Sequence, residues 1–114
     1  MTEEMIKDYI LSLDGVWLDQ PFGDDILVYE VGEGEGVMMA LMNKNKQPVR
    51  LSLRCDETLS KVLREKYDEV MPGEKLDTKY WNTLVLTGQL TADEIEDLIK
   101  LSYQLALKAA TKSS

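Results

Sequence analysis

Arg50, Ser52 and Arg54 alternate along one short stretch, with Lys44 and Lys46 just ahead of them; Trp81 and Thr83 repeat the two-residue spacing further on. Guanidinium, ammonium and hydroxyl groups in that pattern hold phosphate oxygens, and an indole can stack on an unpaired base. If the two stretches are strands of one sheet, Arg50, Ser52, Arg54, Trp81 and Thr83 can share a face, because alternate residues of a strand point the same way, with Lys44 and Lys46 on the adjoining turn. They are the candidate nucleic-acid-binding set. The same residues also fit a solvated sheet whose Arg side chains pair with nearby carboxylates, each pair contributing little.

Other chemistries are poorly supplied. The chain has no His and one cysteine, Cys55. That removes the usual general base, the Ser-His and Cys-His nucleophile arrangements and the commonest transition-metal ligand. A single Cys excludes an internal disulfide or a multi-Cys zinc site; it ends an apolar alternation and reads as a small buried hydrophobe. Gly32-Glu-Gly-Glu-Gly36 has the glycine content of a phosphate loop, but no helix signal follows and Glu33 and Glu35 would repel an anion. It reads as a hairpin loop using positive φ angles. No catalytic residue, metal or cofactor is expected, and the chain is expected not to be an enzyme.

Charge is uneven along the chain. The 114 residues carry a net charge of −8, with 44% apolar and 30% charged residues. Residues 1–43 hold one Lys against ten acids, residues 44–66 seven cations against three acids, and residues 67–114 five Lys against eight acids. One basic segment in an acidic chain is the electrostatic feature that could point to a partner. The longest apolar run, Val37–Met42, is too short for a membrane span and reads as a buried strand. Glu3 and Glu4 open the chain where a signal peptide would be basic, so a cytoplasmic protein with no membrane association is expected.

The elements that would position the candidates follow from periodicity and caps. Thr2–Leu13 reads as a helix capped by Thr2, with Met5, Ile6, Tyr9, Ile10 and Leu13 as its apolar stripe. Val16–Asp25 reads as a connector broken by Pro21 and Gly23. Ile26–Val31 and Val37–Met42 are strand candidates, and Pro48–Arg54 is a third by strict alternation. Asp56 is the expected cap of a helix to about Tyr67, burying Leu59, Val62, Leu63 and Tyr67. A short extended piece is expected near Lys75–Leu76, before the Trp81 strand. In that strand Leu84 and Leu86 should face inward and Thr83, Val85 and Thr87 outward. Thr91-Ala-Asp-Glu94 is a capping box ahead of the longest helix; the tail, Lys112–Ser114, should fray. The whole chain, 1–114, is expected to be one domain of α+β class. The expected order is α-β-β-β-α-β-β-α: a two-layer sandwich in which helices pack on one face of a five-stranded antiparallel sheet.

Pro21-Phe-Gly-Asp-Asp-Ile-Leu-Val28, Val49-Arg-Leu-Ser-Leu-Arg-Cys-Asp56, Tyr80-Trp-Asn-Thr83 and Ser102-Tyr103 together resemble the MmcQ/YjbR family. The resemblance implies a bacterial cytoplasmic protein with a fold similar to CyaY-like proteins and type III secretion chaperones, and a DNA-binding role in a "double-wing" arrangement. The family pattern has His before the Trp and Asn where this chain has Tyr80 and Asp77. Two partner expectations follow. One is weak, salt-sensitive DNA binding on the exposed sheet face. The other is a chaperone-like protein-interaction role, since Met5, Met38, Met39, Met42 and Met71 could supply an adaptable apolar surface.

Overall fold

The computed structural model describes residues 1–112; Ser113 and Ser114, which fall in the tail expected to fray, lie outside the described residues. In chain order the elements are α1 (Glu3–Ser12), β1 (Val16–Asp19), β2 (Ile26–Val31), β3 (Val37–Asn43), β4 (Arg50–Arg54), α2 (Glu57–Lys66), β5 (Val70–Pro72), β6 (Trp81–Val85) and α3 (Ala92–Lys112). All neighbouring strands pair antiparallel in one sheet of order β1-β2-β3-β4-β6-β5.

The sheet therefore has six strands where five were expected. The additional one is β1, in the segment read as a connector. It covers the free edge of β2, with Val16 opposite Val31, and the Trp17 indole N–H donates to the Gly32 carbonyl at 3.3 Å. The short penultimate strand also lies earlier than expected. It is Val70–Pro72 beside β6, while Lys75 and Leu76 belong to a turn in which Lys75 takes a left-handed φ of 58°. Pro72 suits this edge because it has no N–H to leave unpaired. The glycines of the β2–β3 hairpin all have positive φ, and at Gly36 a Cβ would lie 2.7 Å from the Trp17 ring.

Local signals start each helix as expected. The Thr2 hydroxyl accepts from the Met5 amide and the Asp56 carboxylate from the Leu59 amide. Thr91 and Glu94 satisfy each other's amides at 2.9 and 3.1 Å. Ile6 and Ile10 of α1, and Ile95, Ile99 and Ala106 of α3, pack on a sheet face formed by Leu27, Tyr29, Ala40, Met42, Leu51, Leu53 and Leu84. Helix α2 contributes less than its periodicity suggests: Val62 is half exposed, and Ser60 is its one fully buried residue. With the apolar core collected on one side, Arg50, Ser52 and Thr83 fall on the second sheet face.

Candidate functional site

Strand register puts Arg50, Ser52 and Arg54 of β4 opposite Val85, Thr83 and Trp81 of β6, all on the face away from the core. That shared face was expected from alternation. Its exposure was not. Ser52 and Thr83 are buried, their hydroxyls 2.7 Å apart. Thr83 Oγ1 also accepts from the Glu74 amide at 2.9 Å, so the segment after β5 straps across this part of the sheet. Trp81 is only 5% exposed, which leaves no ring face for a base to stack on.

Each expected cation has a local partner. Lys44 reaches Glu3 at 3.6 Å, away from the others. Lys46 and Arg50 share Glu74, at 3.5 and 2.8 Å, and Arg50 also touches the Met71 sulfur. Arg54 donates from Nε to the Met38 carbonyl at 2.6 Å and lies 4.8 Å over the Trp81 ring. Burial lowers the pKa of Arg54 from its ordinary value. Of the seven candidates, the structure gathers Lys46, Arg50, Ser52 and Thr83 around Glu74. Lys44 and the Arg54–Trp81 pair stand apart.

Beside that polar cluster lies a groove of about 480 Å³. Ile26 of β2, Met38 and Leu41 of β3 and Ser52 of β4 line it, with Phe22 from the β1–β2 connection and Leu76 from the strap. Phe22 is 70% exposed, the most exposed of the large apolar side chains. Asn43, Lys46, Glu74 and Lys75 supply the polar part of the lining. The volume falls within the ~300–1,000 Å³ of small-molecule sites, and a mainly apolar wall with a few polar groups is their usual composition.

Carboxylates elsewhere on the molecule have structural work. Glu69 is buried, and its two oxygens accept from the Thr87, Gln89 and Leu90 amides and the Thr87 hydroxyl, which closes the turn into α3. Burial first, and then Asp19 beside it, raises the Glu30 pKa above the usual 4.5. Burial likewise raises the Cys55 thiol pKa, so this residue is a poor nucleophile at neutral pH. Among the described residues, no group of three or more His, Cys, Asp or Glu side chains is placed to hold a metal ion. No described helix is long and apolar enough to cross a membrane.

A signal for the groove was present in the sequence. Ile26-Leu-Val-Tyr and Val37-Met-Met-Ala-Leu-Met are apolar at both parities, whereas a strand with one solvated face alternates. Such runs require cover, or a site, on both faces of the sheet. The strap and Phe22 could not be assigned to that second face before the topology was known.

The architecture is that of a small α+β protein with an open antiparallel sheet, three helices on one face and a partly strapped groove on the other. A YjbR family model matches residues 11–105, and the chain belongs to the YjbR family. Among curated relatives, protein YjbR of Escherichia coli strain K12 is 30% identical over 73 residues, which covers 64% of this chain and 62% of that protein. The chain thus matches just under two thirds of the length of that relative. Protein YbdF of Escherichia coli O157:H7 is 25% identical over 96% of this chain and 87% of its own. Among solved structures, protein DR2400 of Deinococcus radiodurans, with a DUF419 domain, superposes with a TM-score of 0.88 at 31% identity, covering 94% of this chain and 79% of that one. A protein from Pseudomonas syringae gives a TM-score of 0.79 at 25% identity, covering 93% of this chain and 99% of its own.

Proposed function

We propose that this chain is a non-catalytic binding module whose ligand site is the groove on the sheet face opposite the helices. The observation that carries this reading is the uncovered apolar wall of Phe22, Ile26, Met38, Leu41 and Leu76, with Phe22 70% exposed at its rim. Apolar side chains gathered in a concave groove with a few polar groups are the usual lining of a ligand site. The groove serves a binding role without requiring a general base or a metal. Nucleic-acid binding draws less support from the geometry, since Trp81 is buried and Lys44, Lys46 and Arg50 each lie against a carboxylate.

The test is titration with the neutral fluorescent probe N-phenyl-1-naphthylamine. Saturable binding at one site is expected. Phe22→Ala should weaken it about tenfold, as losing most of an apolar ring's contact costs ~1.5 kcal/mol or more. Leu41→Glu, which places a charge in the wall, should abolish it. Lack of saturable binding, or equal binding by both folded variants, would overturn the proposal.

A further inference from the structure

Resting on the groove as the ligand site, we infer that its natural occupant is a small amphiphile, an aliphatic or aromatic body ending in one anionic group such as a carboxylate. The wall is apolar along β2 and β3, and the charge lies at the strap side. There Lys46 and Lys75 line the groove with a single carboxylate, Glu74, which Arg50 also engages. Two cations therefore engage one anion, and a third, Lys75, lines the groove with it, in a chain whose net charge is −8. Lys75 has no ion-pair partner among the described residues, and Arg50 Nε is buried with no hydrogen-bond partner among them. Lys46 and Lys75, both in the groove lining, can donate to an anionic head group as well as to Glu74.

The backbone decides between a small amphiphile and a peptide. β2, β3 and β4 are interior strands, each paired on both sides, so the groove offers side chains and no free strand edge. An extended polypeptide lying in it would bring amide groups against an apolar wall with no strand edge to pair with, and burying unpaired amides is costly. An acyl or aryl chain carries no such groups.

The experiment is displacement of N-phenyl-1-naphthylamine from the full chain by decanoate, by decan-1-ol and by an acidic apolar peptide, at neutral pH and below micelle-forming concentrations. Decanoate should displace the probe at about fivefold lower concentration than decan-1-ol, the scale of a few partly exposed charge contacts. Lys46→Gln combined with Lys75→Gln should erase that preference, read within the variant as the ratio of decanoate to decan-1-ol competition. Glu74→Gln should increase the preference, and circular dichroism checks that each variant is folded. If the probe binds and the alcohol competes as well as the acid, the anionic head group is wrong and the binding-module reading stands. Stronger competition by the peptide than by decanoate would make the occupant a polypeptide and overturn the inference. Failure of the probe itself to bind would remove both.

Discussion

Ser102 shows what one hydroxyl does in this fold. β2 and β3 shift register between Tyr29 and Glu30, and the shift leaves Met39 outside the pairs. Ser102 reaches from α3 into that irregularity, donating to the Met39 carbonyl and accepting from the Arg54 amide at 2.8 Å. The residue is fully buried, so neither backbone group can turn to water once the hydroxyl is gone. Ser102→Ala should therefore destabilise the protein by about 1–3 kcal/mol, the cost of unsatisfied buried polar groups, with little loss of helix propensity. Urea titration with an unchanged m-value checks it; a loss below the error of the fit would show that Met39 and Arg54 find other partners. In the sequence Ser102 stands beside Tyr103, among the residues that carry the family resemblance. Its partners were not legible, because a register shift depends on how two strands meet and not on either alone.

At the scale of elements, the capping box of α3 is also a tether. Tyr67, just after α2, donates its hydroxyl to Glu94, whose other oxygen accepts from the Thr91 amide. The Glu94 carboxyl pKa is lowered, first by the Tyr67 hydroxyl and then by the Thr91 amide and hydroxyl. A carboxyl whose folded pKa lies below its unfolded value stabilises the fold above the unfolded pKa and loses that contribution as pH falls through the folded one. Tyr67→Phe should thus be less stable than wild type at neutral pH. The gap should close as the pH falls through and below the usual carboxylate range. Thermal melts of both proteins from neutral pH to about pH 3, read as the difference between them, test this. A pH-independent difference would mean that Tyr67 acts by packing alone. The caps of all three helices were readable because capping is local, set by residues a few positions apart. β1 was missed because no strong alternation marks Val16–Asp19; what recruits it is the free edge of β2, a tertiary fact.

For the molecule as a whole, folding redistributes the charge that the chain keeps apart. The first 43 residues are strongly acidic and residues 44–66 basic, yet Lys44 closes on Glu3, Lys61 on Glu57, and Lys46 with Arg50 on Glu74. A basic segment in sequence is therefore not a basic surface in space, and Lys46 and Lys75 border the apolar groove. Four free phosphate contacts on the sheet face would give a log–log salt slope of about −3 to −4 for DNA binding. With Lys44, Lys46 and Arg50 on carboxylates and Arg54 over Trp81, Lys75 remains, and the expected slope for a short duplex is about −1, with weak affinity. Glu74→Gln releases Lys46 and Arg50 and should steepen the slope by about 1–2. Fluorescence anisotropy between about 50 and 200 mM salt measures both proteins. A wild-type slope of about −3 or steeper would mean that phosphates displace Glu74 and Glu3 from their cations. The sheet face would then be a nucleic-acid surface despite its intramolecular pairs.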